Sequence, residues 1–229
     1  MHYADPTDIY GHRVLGDVPE AETLSIVFGQ FDLLRCRPDY VYTSVAAGKG
    51  HVFEDVAPRA IDLDGDGYLE IITVRSSLTK GAQIAIYGAD KTEPSGSWGD
   101  SPYRLLATTP YIGRRHRWLA PVAWADLDGD GAIEIAYVDR PHLAKILRVW
   151  RFEDNTLTEV AALEGITNHR IGEPYISSGI RSCGGLPEMI VADADWRSVL
   201  GVRWTTNGFD VRRIGPFEGA PSFETALRC

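Results

Sequence analysis

Short apolar runs separated by turns follow one another along the whole chain. The runs are rich in Val, Ile, Leu and aromatic residues, and most are four to eight residues long, which favours strands over helices. No segment has the apolar spacing of an amphipathic helix of ten or more residues. The 23 Gly and 13 Pro residues are spread between the runs rather than pooled in a linker. The pattern therefore predicts many short β-strands joined by turns.

An internal repeat sets the phase of these runs. The segment 61–71, Ile-Asp-Leu-Asp-Gly-Asp-Gly-Tyr-Leu-Glu-Ile, has a near copy at 125–135. Weaker copies begin at Asp17 and Arg181, so the four starts are 45, 64 and 55 residues apart. In the first unit Ser25 occupies the position of Glu70, and in the fourth unit Glu188 does so if one residue is deleted. Repetition at such intervals is typical of propellers and other repeat folds.

Each unit is predicted to contain about four strands. One run precedes each acidic loop and up to three follow it, and Asp39–Val45 supplies the outer strand of the shorter first unit. We therefore predict an all-β fold, a β-propeller of four-stranded blades formed by a single domain over 1–229. Four blades are predicted, and the alternative of five or more requires the N- and C-terminal segments to form a further blade. The predicted strands directly after the loops are 24–28, 69–74, 133–138 and 187–192.

The two strong copies have the composition of calcium-binding loops. Asp occupies positions 1, 3 and 5, Gly occupies position 6, Glu occupies position 9, and the carbonyl of residue 7 adds an oxygen. Hard oxygen ligands of this kind suit Ca²⁺. Position 12 is Thr73 or Tyr137 instead of a bidentate Glu, which excludes an EF-hand. A solvated acidic turn is the alternative. The predicted ligands of two Ca²⁺ sites are Asp62, Asp64, Asp66, Tyr68 and Glu70, and Asp126, Asp128, Asp130, Ala132 and Glu134.

This motif, Asp-Leu-Asp-Gly-Asp-Gly-x-x-Glu-Ile between strands, resembles the FG-GAP or VCBS repeat of integrin α-chain propellers and their bacterial relatives. The resemblance implies a propeller with Ca²⁺ in the hairpin loops between the first two strands of a blade. The family usually has Asp at position 9, so Glu70 and Glu134 imply a longer reach. The resemblance also implies a periplasmic or secreted protein, although the N-terminal residues contain no signal peptide.

Four histidines precede the loops at similar distances and are candidates for a second metal site. His51, His116 and His169 precede their loop starts by 11, 10 and 12 residues, and His12 precedes Asp17 by 5. If each enters its blade next to the axis, the four imidazoles could hold a Zn, Cu, Ni or Fe ion. Inheritance of a structural histidine through the repeat is the alternative. A third alternative is an anion pocket formed with Arg114, Arg115, Arg117 and Arg170.

Composition narrows the classes of partner. The chain has 23 Lys and Arg residues against 32 Asp and Glu residues, a net charge of −9, which argues against binding to nucleic acid. No apolar run is long enough for membrane insertion. The three cysteines, Cys36, Cys183 and Cys229, allow at most one disulfide and leave its pairing open.

Two hypotheses about function remain open on the sequence. The first is a calcium-binding propeller that acts as an extracytoplasmic binding module for a protein or glycan ligand. The second is a metal-dependent enzyme, a hydrolase or lyase, whose site at the axial mouth is built from the in-phase histidines and the nearby arginines. No nucleophile or nucleotide-binding motif is present, which favours the binding module.

Overall fold

Antiparallel β-sheet accounts for nearly all of the regular structure. The computed structural model describes residues 1–32, 37–89 and 103–229. The described strands fall into four consecutive units, each containing a second strand flanked by antiparallel partners. This arrangement confirms the predicted all-β propeller fold of repeated antiparallel units.

The third unit is the most regular blade. Its four strands pair in chain order: β9 (Leu119–Ala125), β10 (Glu134–Asp139), β11 (Ile146–Glu153) and β12 (Thr156–Glu164). Every residue of β10 is buried, whereas β12 has no buried residue. The apolar run of β10 is therefore covered on both faces, and β12 forms the outer edge of the blade.

The second and fourth units share a feature that the sequence pattern does not reveal. In both units the first strand is interrupted, and its two halves pair with the same second strand. The second unit consists of β4 (His51–Phe53), β5 (Arg59–Ile61), β6 (Glu70–Ser77), β7 (Gly81–Ala89) and β8 (Tyr103–Thr108). The fourth consists of β13 (Ile166–Thr167), β14 (Gly179–Arg181), β15 (Glu188–Asp193), β16 (Ser198–Thr205) and β17 (Gly208–Pro216).

The first unit has three strands and differs in detail from the prediction. β2 (Glu20–Asp32) lies between β1 (His2–Thr7) and β3 (Arg37–Ala46). The outer strand was predicted at this place, but the N-terminal strand β1 was not. β2 also joins the second unit through a single pair, Ala21 with Phe53 of β4.

Adjacent units share hydrophobic cores. One core joins Leu24 of the first unit to Ile71 of the second, and another joins Val149 of the third to Val191 of the fourth. A short helix, α1 (Ala220–Ala226), follows the fourth unit and buries Phe223 against it. These shared cores join successive units.

The first and fourth units also meet through their loops. The backbone N–H of Gly172 donates to the carbonyl of Val14 at 2.9 Å. A Cβ on Gly16 would lie 2.5 Å from the Gly172 carbonyl oxygen, so only glycine permits this approach. Loops from the two ends of the repeat are thereby brought into contact.

Candidate functional site

The first acidic loop, between β5 and β6, folds around its own carboxylates. The Asp62 carboxylate accepts hydrogen bonds from the backbone N–H groups of Gly65, Asp66 and Gly67 at 2.8–3.1 Å. Gly65 and Gly67 have φ of 74° and 87°, which favours glycine. One side-chain oxygen each from Asp62, Asp64 and Asp66 lies within 4.8 Å of the others. The loop therefore brings three predicted ligands together.

The second acidic loop, between β9 and β10, repeats this geometry. The Asp126 carboxylate accepts from the N–H groups of Gly129 and Gly131 at 2.7 and 3.0 Å. Here the oxygens within 4.8 Å of one another belong to Asp126, Asp128 and Glu134. The same local sequence thus produces the same turn twice, with a different third carboxylate in each group.

The residues at position 7 lie where the loop returns to the strand. The N–H of Tyr68 donates to Asp66 at 2.8 Å, and the N–H of Ala132 donates to Asp130 at 2.9 Å. The Ala132 N–H is the main reason that the pKa of Asp130 is lowered. These short turns fix the backbone beside the carboxylates.

A guanidinium enters the second loop from the neighbouring strand. Arg151 of β11 donates to Glu134 from Nη2 at 2.5 Å and from Nε at 2.8 Å. Its other nitrogen contacts are with Asp128 at 3.3 Å and with Asp130 at 2.8 Å. A fixed positive charge therefore lies among the carboxylates of this loop.

The glutamates at position 9 have a structural contact in addition to any ligand role. Glu70 accepts from the N–H of Leu63, and Glu134 accepts from the N–H of Leu127, both at 2.9 Å. Burial raises the pKa of Glu134. One oxygen of each glutamate thus ties the strand start to the beginning of its loop.

A buried glutamate begins the second strand of every unit. In the first unit Glu20 accepts from the N–H groups of His12 and Arg13 at 2.8 and 3.2 Å. The repeat spacing predicts Ser25 at this position, which is wrong because β2 begins five residues earlier. The apolar run starts only at Leu24, so the pattern of a Glu directly before an apolar run, which marks Glu134, is absent at Glu20. The four glutamates are Glu20, Glu70, Glu134 and Glu188, which are 4%, 1%, 0% and 2% exposed.

Arginines hold the glutamate of the fourth unit. Arg181, at the position of the first loop carboxylate, lies 2.6 Å from Glu188, and Arg212 donates to it at 2.6 and 2.7 Å. These contacts, that of Arg212 foremost, lower the pKa of Glu188 to about 2. Guanidinium groups thus replace the carboxylates of a metal loop in this unit.

Two of the four predicted histidines meet. The rings of His12 and His116 stack with centroids 4.8 Å apart and planes 7° apart. His12 Nδ1 lies 2.6 Å from the Glu54 carboxylate, and burial raises the pKa of Glu54. The backbone N–H of His116 donates to the Tyr10 hydroxyl at 2.8 Å. Side chains from the first three units therefore form one polar cluster.

The third predicted histidine pairs with a histidine that the sequence analysis did not select. His169 Nε2 lies 2.9 Å from the carbonyl of Glu173 and must donate to it, so its Nδ1 accepts from His142 Nε2 at 3.0 Å. Burial, with the charges of His169 and His12, lowers the pKa of His142 to about 4. Burial also lowers the pKa of His169, so both rings are neutral at pH 7.

His51 has hydrogen-bond partners outside this cluster. Its Nδ1 donates to the Lys49 carbonyl at 2.9 Å, so its Nε2 accepts from the Tyr111 hydroxyl at 2.6 Å. His51 begins β4, whereas His169 follows the end of β13, so similar spacing from the loops does not place the two residues at equivalent points. Within the described residues, groups of three or more metal-ligating side chains are found in the two acidic loops only.

The arginines considered for an anion pocket also separate. The Arg170 guanidinium lies 4.5 Å from the ring centroids of both Trp196 and Phe217. Arg115 donates to the Tyr10 carbonyl at 2.7 Å, beside Arg114 and Arg117. Arg170 therefore packs on the fourth unit, away from the other three.

Cys183 and Cys229 form a disulfide, the one bridge that the cysteine count allowed. Cys36 lies outside the described residues. Among the described residues, no helix has the length and apolar character needed to cross a membrane.

Comparison with protein families gives a match to part of the chain. A family model described as an FG-GAP-like repeat matches residues 62–137, about a third of the chain. The matched range begins at Asp62 and includes both acidic loops. No curated protein matches the chain.

Proposed function

We propose that this chain, which is similar to FG-GAP-like repeats over residues 62–137, is a β-propeller interaction module stabilised by calcium in its two acidic loops. The observation that carries the proposal is the convergence of Asp62, Asp64 and Asp66 within 4.8 Å. Three carboxylates at this distance repel one another by about 1 kcal/mol per pair even in water. A bound dication offsets that repulsion.

The donor set supports calcium over softer metals. Both loops offer carboxylate oxygens, and neither contains His or Cys. Ca²⁺ accepts six to eight oxygens in flexible geometry, whereas Zn²⁺ and Cu²⁺ prefer nitrogen and sulfur ligands. Asp126, Asp128 and Glu134 would hold the second ion, in competition with Arg151.

An oxidising compartment outside the cytoplasm is the setting that we propose. The Cys183–Cys229 disulfide supports it because such bridges persist mainly in secreted and periplasmic proteins. Millimolar calcium outside the cell would also fill sites of modest affinity.

The alternative of a metal-dependent enzyme needs the four in-phase histidines to share one centre. His51 is bonded to Tyr111, and His169 is bonded to Glu173 and His142. These hydrogen bonds support the structural interpretation of the repeated histidine. The interaction module is therefore the function that we propose.

Thermal unfolding with and without a chelator tests the stabilising role of calcium. We expect EDTA to lower the Tm of the wild-type protein, and Asp64→Asn to lower the Tm in calcium and to reduce the effect of EDTA. Asp195→Asn, an exposed aspartate outside both loops, is the matched control and should behave as wild type. Equal Tm values for wild type with and without EDTA, after extended dialysis, would refute calcium stabilisation.

A further inference from the structure

Three loops pack against one another at one end of the second blade. This end lies opposite the acidic loop of the same blade. The N–H of Leu78 donates to the Gly50 carbonyl, and the N–H of Arg115 donates to the Thr79 carbonyl, both at 3.0 Å. A Cβ on Gly81, which has φ +81°, would lie 2.8 Å from the Arg114 carbonyl oxygen. These contacts hold the loops 49–51, 78–81 and 110–117 in one surface.

These loops and the adjacent strand carry six cationic residues, which we call the basic patch. Within the described part of the chain, none of the six forms an ion pair with a carboxylate. Arg75 donates instead to the Ala47 carbonyl at 2.6 Å, and Lys80 lies 5.3 Å from the centroid of the Tyr111 ring. The basic patch consists of Lys49, Arg75, Lys80, Arg114, Arg115 and Arg117.

Other arginines of the protein contrast with this patch. Arg59 pairs with the buried Asp55, Arg151 with Glu134, and Arg212 with Glu188. In the basic patch, by contrast, six cations without a carboxylate partner among the described residues lie on neighbouring loops and the adjacent strand. Burial first, and then the charges of Arg75 and Lys80, lower the pKa of His51, which is consistent with a positive potential there.

The fold separates the two signs of charge. Strand β6 begins with Glu70, next to the first acidic loop, and ends with Ser77, next to the loop that carries Lys80. Its eight residues span about 25 Å at roughly 3.3 Å each. The second unit thus has an acidic loop at one end and the basic patch at the other.

We propose that the basic patch binds a carboxylate-rich segment of a partner protein. This inference rests on the proposed function as an interaction module and names the chemistry of its partner. Arginine forks match carboxylates well, and Lys80, Arg114 and Arg115 are exposed on loops that are already fixed by backbone hydrogen bonds. Because the backbone of these loops is already fixed, the surface loses little backbone entropy on binding.

The charge distribution favours a short acidic peptide segment over nucleic acid or a membrane as the partner. Nucleic acid and anionic membranes present many phosphates over a wide area, and most of them would face the acidic remainder of the molecule. A short acidic peptide segment can contact the patch alone. Its encounter with the patch would also be accelerated by the local positive potential.

A peptide-binding measurement tests this proposal on the full chain. The probe is a fluorescein-labelled dodecapeptide of alternating Glu and Ser, with a Gln and Ser peptide as the neutral control, read by anisotropy in calcium. We expect the acidic peptide alone to bind, with affinity that falls as NaCl rises. Lys80→Glu with Arg114→Glu should weaken binding about tenfold. Arg197→Glu with Arg228→Glu, the same charge change at exposed residues outside the patch, should weaken it less than about twofold.

Equal weakening by both double variants would overturn the patch as the binding surface. Tighter binding of a 12-nucleotide single-stranded DNA or of phosphatidylserine vesicles than of the peptide would overturn the class of partner. Absence of peptide binding in a protein that still shows calcium-dependent stability would reject the patch and leave the calcium proposal intact. Unchanged Tm of the double variants confirms that the comparison concerns folded protein.

Discussion

The guanidinium of Arg151 donates to the Glu134 carboxylate at 2.5 Å and so places a positive charge inside the second acidic loop. Arg151 lies directly across from Glu134 in the ladder between β11 and β10. A calcium ion in this loop must share the carboxylates with the guanidinium or displace it. If this loop binds calcium as we propose, we expect Arg151 to lower its affinity for the ion.

Replacement of Arg151 should strengthen calcium binding at that loop. In an Asp64→Asn background, which removes the first site, we expect Arg151→Gln to raise the calcium affinity of the remaining site about tenfold, because a competing charge is removed. Isothermal titration calorimetry measures this change. Lower calcium affinity in the folded Arg151→Gln variant would contradict the competition.

The pair formed by Arg212 and Glu188 should make the fourth unit sensitive to acid. The pKa of Glu188 is lowered to about 2 from 4.5, so its contribution to stability is complete above pH 4.5 and is lost as the pH falls toward 2. We expect Glu188→Gln to reduce the free energy of unfolding by about 2 kcal/mol at pH 7. Urea denaturation should show a smaller difference at pH 3. A difference that does not depend on pH would contradict the ionic role of Glu188.

The histidine pair predicts a second pH dependence. The pKa of His142 is lowered to about 4 from its ordinary 6.5. As the pH falls, His142 therefore takes up a proton in the unfolded chain before it does so in the folded protein. The contribution of His142 to stability is complete above pH 6.5 and is lost between pH 6.5 and 4. His142→Gln should therefore lose less stability than wild type between pH 7.5 and 4.5 in urea denaturation. If both proteins lose the same free energy, His142 is not the responsible group.

The disulfide should stabilise the C-terminal part of the fourth unit. Cys183 and Cys229 are 46 residues apart, and closing a loop of that size contributes about 4 kcal/mol in the chain-entropy account. We expect dithiothreitol to lower the Tm of wild type by several degrees. The double variant Cys183→Ser with Cys229→Ser should melt near the reduced wild type and should not respond to dithiothreitol. A response of this variant to the reductant would assign the effect to another thiol.

The sequence was most informative where the chemistry is local. Asp62 and Asp126 shape their loops through residues three to five positions away, so the spacing alone predicted both turns. The histidines depend on long-range geometry. The interruption of the first strand after Phe53 and after Thr167 could not be seen in the spacing, so it was not evident that His51 begins its strand whereas His169 follows the end of β13.

The basic patch and the start of β2 could not be predicted from the sequence either. Net charge sums over the whole chain and hides the patch around Lys80 and Arg114, which forms only when three loops meet. Glu20 escaped notice because the first unit lacks the acidic loop that marks Glu70 and Glu134. His142 could not be paired with His169 from sequence because 27 residues separate them.

Calcium stoichiometry tests the central claim most directly. Isothermal titration of calcium into the chelator-treated, dialysed protein should give two ions per chain for wild type and for the Asp195→Asn control. Asp64→Asn and Asp128→Asn should each bind one ion, and the double variant should bind none, because each substitution removes a converging carboxylate. Absence of calcium binding to folded wild type, or two ions still bound by the folded double variant, would contradict the assignment of the acidic loops as calcium sites.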